Sequence, residues 1–190
     1  MEAVRQLFKL AAPVSIDIAD KTSHVVKGFA SVETADRSDE IVPPEEFNIK
    51  SFMAKATLLF NHRYWIDDNG NGRAIGSPKE MFVARLKDIG DNLNYGVERL
   101  SDNQIVDYFP KAKCPNIGPG TKGVWVRAEV TVPKVWEMVQ KGELNAFSWR
   151  GLTRVGYKTN PDMTVSKLLK NIDLYEVSLV NVPDNGASLS

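Results

Sequence analysis

The chain has 190 residues, with 24 Lys and Arg against 24 Asp and Glu, one cysteine, two histidines and 43% hydrophobic residues. That length defaults to one domain, 1–190, with a core that buries roughly 70% of the unfolded surface. A lone Cys114 allows no internal disulfide and no Cys-rich zinc site, and His24 with His62 cannot build a three-His metal centre. Zero net charge gives no general reason to bind nucleic acid or an anionic membrane, so no cofactor, metal, nucleic acid or membrane is expected. The N-terminus lacks the apolar core of a signal peptide, and no run approaches the ~20 apolar residues of a membrane span. A soluble protein of a reducing compartment is the expectation.

In chain order, Met1–Leu10 reads as a short helix using Val4, Leu7 and Phe8 and ended by Pro13. Val14, Ile16 and Ile18 alternate with polar residues, and HVVKGFASVE returns after a DKTS turn, so 14–33 reads as a hairpin. ADRSDEIVPP is charged loop, with Pro43-Pro44 opening a helical stretch. Thr57–Phe60 is a short apolar strand delivering Asn61-His62-Arg63, and the Asn/Asp/Gly-rich segment after it is a loop. Strands follow around Met81–Ala84 and Tyr95–Leu100. DYFPKAKCPNIGPGTKG within 88–123 reads as irregular, an insertion or a lid whose Tyr108 and Phe109 could cover a site. Alternation from Val124 to Val132 marks a strand, and Pro133 then opens a helix with Val135, Trp136 and Val139 on one face and Gly142 as its C-cap. Ala146–Arg150 and Leu174–Val180 are the last two strands, separated by a polar loop at Asn160-Pro161. The predicted fold is mainly β with peripheral helices (α+β), as a closed or partly open antiparallel β-barrel.

No glycine loop has the setting of a phosphate cradle, and no HExxH or paired-Cys spacing occurs. His62 with Asp67 and Asp68 is a conceivable metal set, but those two aspartates read better as turn residues. Nucleophilic chemistry from a serine or the lone cysteine remains. Ser148 points opposite Phe147 and Trp149 on its strand, as either a polar-face serine or a nucleophile. Glu176 shares a strand face with Leu174, Ser178 and Val180. It is either a solvated strand residue or a carboxylate needing a partner, because an unpaired buried charge is costly. Cys114 in a Pro-flanked loop reads as a plain thiol.

Four stretches then line up in order: GFASV (28–32) with DRSDEIVPPEEF, TLLFNHR (57–63) with IGS (75–77), VWEMVQKGELNAFSWRG (135–151) containing G-x-L-x-x-x-S, and LYEVSLVNVP (174–183). In this order the chain resembles the phage prohead protease family, capsid-maturation serine proteases that share a fold with the herpesvirus assemblins. The resemblance runs from about residue 25 to 187 and implies a barrel of the herpesvirus-protease type. It implies a serine endopeptidase with Ser148 as nucleophile, His62 as general base and Glu176 as third member, with Asp173 as rival for that place. It also implies oxyanion donors around Asp184 and Asn185, with Arg150 as a support. The herpesvirus branch has a second histidine as third member, whereas no histidine follows Ser148 here. The implied substrates are phage scaffold and major capsid protein, with cleavage of the chain itself, inside the assembling procapsid in the host cytoplasm. A homodimer is a further expectation, and a non-catalytic β-barrel module of the phage head is the alternative function.

Overall fold

A computed structural model describes residues 5–33 and 40–182. The strands are β1 (Arg5–Ser15), β2 (Asp17–Asp20), β3 (Val25–Val32), β4 (Glu40–Ile41), β5 (Leu58–Phe60), β6 (Trp65–Ile66), β7 (Gly72–Arg73), β8 (Gly76–Lys87), β9 (Asn94–Arg99), β10 (Gln104–Pro110), β11 (Lys122–Val130), β12 (Ala146–Thr159) and β13 (Val165–Val180). Among the described residues two helices, α1 (Ile49–Met53) and α2 (Pro133–Gln140), accompany short 3-10 turns at Pro44–Glu46 and Lys111–Lys113. Eleven strands form one sheet along the path β1-β12-β13-β5-β8-β11-β3-β2, with β9 and β10 branching from β8, and β4 on β13. The two ends of that path, β1 and β2, are separated in the chain only by Ile16, whose N–H donates to the Asn145 carbonyl at 2.8 Å. No ladder joins them, and the strands form one large mixed sheet, with β4 and β5 parallel to β13, where the sequence led us to expect a closed or partly open antiparallel barrel.

The N-terminal segment is where expectation and structure part most clearly: residues 5–15 are a strand and not a helix. A helix of ten residues is marginal without packing, whereas the edge of β12 supplies a backbone partner to every residue from Arg5 to Ala11. Phe8 and Leu10 then reach the core from one face of the strand. Pro13, which cannot donate to a ladder, falls in the register break between Ala11 and Ser15, where a proline is tolerated. The charged stretch 34–39 lies outside the described residues.

The segment expected to be irregular also carries a strand. β10 pairs with β9, and a register shift between Ile105 and Asp107 breaks the alternation that would have revealed it. Phe109 does not cover a site; it is buried with Phe29 and Trp125, edge to face at 6.3 and 5.3 Å. Asp107 is buried as well, and holds Lys27 at 2.8 Å and Arg127 at 2.6 Å. The loop after β5 contains the small β6–β7 hairpin, whose turn is closed by Asp67 accepting from the Asn69 and Asn71 N–H groups, both at 2.9 Å.

β12 and β13 form one long hairpin, and the polar loop at Asn160-Pro161 is its turn. There Asn160 N–H donates to the Thr164 carbonyl and Asp162 accepts from Thr164 N–H. α2 follows the expected pattern, burying Val135, Trp136 and Val139. Gly142 takes a positive φ of 75°, with Gly142 N–H on Val139 O and Glu143 N–H on Met138 O, the paired bonds of a Schellman cap. The interior holds two clusters. The larger gathers Leu58, Val126, Val135, Phe147, Trp149, Val177 and Leu179, under the strands that carry the site. The smaller gathers Phe29, Leu86, Val97, Phe109, Cys114 and Trp125.

Candidate active site

The site grows from one polar stripe on an otherwise apolar part of the sheet. Ser148 stands opposite Ser178, and Arg150 opposite Glu176, so these four side chains share a face of the β12–β13 hairpin. Phe147, Trp149, Val177 and Leu179 alternate with them into the core. β5 runs parallel to β13 with Phe60 against Leu179, so the chain leaving β5 passes directly over the stripe.

What turns His62 toward it is a tight reversal. Asn61 and His62 both adopt left-handed backbone, φ 47° and 63°, and Phe60 and Arg63 exchange N–H···O bonds of 3.0 and 2.9 Å around them. Two successive positive φ values are the signature of a I′ turn. Asn tolerates that conformation, whereas for the histidine it costs free energy. The cost is offset by anchoring: Asn61 N–H donates to Leu179 O at 3.0 Å, and His62 N–H donates to Ser178 Oγ at 3.0 Å.

So placed, the imidazole bridges the stripe. His62 Nε2 lies 2.8 Å from Ser148 Oγ, and Nδ1 hydrogen-bonds the Glu176 carboxylate. Glu176 is only 2% exposed and Ser148 only 1%. A buried carboxylate on Nδ1 selects the tautomer with its proton there, which leaves Nε2 free to accept the serine proton. Arg150 approaches Glu176 at 3.6 Å, and Glu176 Oε2 and Arg150 Nε are buried atoms without hydrogen-bond partners among the described residues. Burial is the largest influence on His62 and lowers its pKa from 6.5. The Glu176 hydrogen bond and charge oppose that shift, and the Lys9 and Arg150 charges add to it. The net direction is downward, so the imidazole is a neutral base at pH 7.

The other candidates fall elsewhere. Asp173 sits at the surface and pairs with Arg5, while Glu176 is the carboxylate on His62. Arg150 flanks Glu176. Asp184 and Asn185 lie outside the described residues. Asn145, immediately before β12, holds the chain just short of them through Val182 N–H at 2.9 Å and Val182 O at 3.0 Å. His24 stacks on Trp136 at 4.6 Å. Cys114 is buried, donates weakly to Pro110 O and Lys111 O, and burial pushes its thiol up to about 11, which suits packing and not attack. Among the described residues no group of three or more His, Cys, Asp or Glu is placed to hold a metal ion, and no helix is long and apolar enough to cross a membrane.

Three residues of the site were not marked by the sequence pattern. Ser178 sits two positions beyond Glu176 on the same face, which was a usable signal for its role in holding His62. Asn145 precedes the strand of Ser148 and carried none. Leu10 could not have been found, because its carbonyl accepts the Ser148 hydroxyl at 2.7 Å only through the β1–β12 pairing.

The arrangement is that of a mainly β protein with a hydroxyl, an imidazole and a carboxylate in one hydrogen-bonded row, able to move a proton from a nucleophile to a base. No family model matches the chain, and no curated protein matches it. Among solved structures it is similar to the bacteriophage T4 capsid assembly protease gp21, with 13% identity, covering 96% of this chain and all of that one, at a TM-score of 0.48. A likeness that distant leaves the chemistry to be read from the site.

Proposed function

We propose that this protein is a serine endopeptidase working by acyl transfer. The observation that carries this reading is the continuous row Ser148 Oγ, His62 Nε2 at 2.8 Å, His62 Nδ1, Glu176 carboxylate. His62 takes the hydroxyl proton as Ser148 Oγ bonds to the carbonyl carbon of a peptide. The imidazolium then gives that proton to the leaving amine, and the C–N bond breaks. Water attacks the acyl-enzyme with His62 again as base, which releases the new carboxyl terminus and restores the serine. Glu176 stays ionised, holding the imidazole and stabilising its charged form.

The substrate class comes from the order of sequence blocks that resembles the phage prohead proteases. On that reading the substrates are scaffold and major capsid protein inside the assembling procapsid, and the chain cleaves itself there too. A homodimer belongs to the same proposal.

Ser148→Ala tests the reading directly. Wild type incubated with scaffold and capsid protein is expected to produce fragments by mass spectrometry, and a fluorophosphonate probe should label residue 148. The variant should do neither. Identical fragments from both proteins would remove Ser148 as nucleophile, and no fragments from either would leave the alternative, a non-catalytic module of the phage head.

A further inference from the structure

The side of β12 next to the nucleophile is covered by the chain's own N-terminal strand. Ala11 stands opposite Ser148, Leu10 opposite Trp149 and Lys9 opposite Arg150, and Leu7 opposite Leu152. Within this ladder the Leu10 carbonyl oxygen lies 2.7 Å from Ser148 Oγ. The serine has one proton and, among the described residues, two acceptors within reach, Leu10 O and His62 Nε2. While the proton points to the carbonyl it is not shared with the base, and the nucleophile is not activated.

We propose that residues 5–11 are a strap lying on the substrate-binding edge, and that an extended peptide pairs with β12 in their place once they peel away. The inference rests on the reading of Ser148 as nucleophile and adds to it how the substrate docks and what blocks it.

Three features of the strand support this. First, the strap occupies the edge in an orientation that does not react. Attack requires the carbonyl carbon to face Oγ and the oxygen to face N–H donors. Here the oxygen itself takes the hydroxyl, so Leu10–Ala11 is held and not cut.

Second, the attachment is graded along β1. Arg5, Gln6, Leu7, Lys9 and Ala11 are exposed, and Phe8 and Leu10 are half-buried. Ala12 and Val14 are fully buried beyond them. The register break between Ala11 and Ser15 separates the loosely held stretch from the anchored one. The Arg5–Asp173 pair at the outer end is more than a third exposed on both sides, and such pairs add little.

Third, peeling the strap uncovers the N–H and C=O groups of β12 from Ser148 to Arg154. Such an open edge recruits an extended chain through main-chain hydrogen bonds. Lys9 leaves with the strap, so the peptide that replaces it meets Arg150 beside the site.

Locking the strap down tests the proposal in the full chain. Leu7 and Leu152 are directly opposed, and cross-strand Cα spacing in an antiparallel pair is compatible with a disulfide. Cys114 is buried and does not compete. In L7C/L152C, the reduced protein should react with a fluorophosphonate probe at Ser148. Oxidation should slow labelling at least ten-fold, and dithiothreitol should restore it. Equal labelling rates in the oxidised and reduced forms would overturn the strap and leave the Ser148 reading intact. Absence of labelling in both forms and in wild type would overturn Ser148 as nucleophile, and the strap with it. Hydrogen exchange on the unmodified protein gives a check independent of the double variant. Amides of 5–11 should exchange at least ten-fold faster than those of 124–128 in β11, which is paired on both sides, and equal protection would also overturn the proposal.

Discussion

His62 carries the most stringent demands in the molecule. It must hold a left-handed backbone, accept from Ser148 and donate to Glu176, and each demand is met by a different neighbour. Glu176→Gln keeps the shape but removes the charge that selects the tautomer. The rate of Ser148 acylation should fall by about 10³- to 10⁴-fold while the thermal transition barely moves. Near-full activity in that variant would remove Glu176 from the mechanism. Ser178→Ala removes the acceptor of His62 N–H, at about 1 kcal/mol of stability. It should lower kcat with little change in KM, because it disturbs the base and not the bound peptide. The lowered pKa of His62 has consequences of known sign. The unfolded chain binds more protons than the folded one between the lowered value and 6.5. The histidine therefore contributes stability above pH about 6.5, and that contribution is lost as the pH falls through the folded value. The acid limb of kcat/KM should lie below pH 6.5 for the same reason. Arg150→Gln removes one of the charges that depress His62, so the limb should move to higher pH. A limb that stays in place would mean that Arg150 has no electrostatic role.

At the scale of elements, the site depends on three strands meeting with little room to spare. β8 passes from β11 to β5 at Gly76, which stands opposite both Val130 and Leu58. A Cβ there would sit 1.8 Å from the Glu129 carbonyl oxygen, which is backbone and cannot yield. Gly76→Ala should cost about 3 kcal/mol or more by chemical denaturation, at the upper end for an overpacked position. Because β5 delivers His62, any folded remainder should also lose serine reactivity. An unchanged denaturation midpoint would show that the strands can separate there. The short apolar run before Asn-His-Arg and the alternation of β12 and β13 were visible in the sequence, since a period of two is a local property. The pairing of β5 with β13 was not, because parallel partners are set by long-range packing and leave no mark on a three-residue strand.

At the scale of the whole molecule, the two apolar clusters divide the work. The larger lies under the polar stripe of the site, and the smaller, built on Trp125, Phe29 and Phe109, fastens the β9–β10 hairpin to the sheet. Trp125 is fully buried, and its ring nitrogen lacks a hydrogen-bond partner among the described residues. Trp125→Ala should therefore cost about 3–5 kcal/mol. Trp125→Phe should cost far less, because it keeps most of the apolar contact and removes the unpaired donor. Equal losses in the two variants would mean that the indole nitrogen is satisfied in solution.

The amino-acid pattern was enough to show a mainly β chain without a disulfide framework, while Ser148, His62 and Glu176 were marked out only by the resemblance that the order of four sequence blocks carries. Composition and two-residue alternation are carried by neighbouring positions and survive without a fold. The pairing of Nδ1 with Glu176 instead of Asp173, the turn that aims His62, and the conversion of the N-terminal segment from helix to strand all came from contacts between residues more than a hundred positions apart. For Leu10 the physical reason is plain. A backbone carbonyl has no residue-type signature, and only the edge of β12 gives it a place beside the nucleophile.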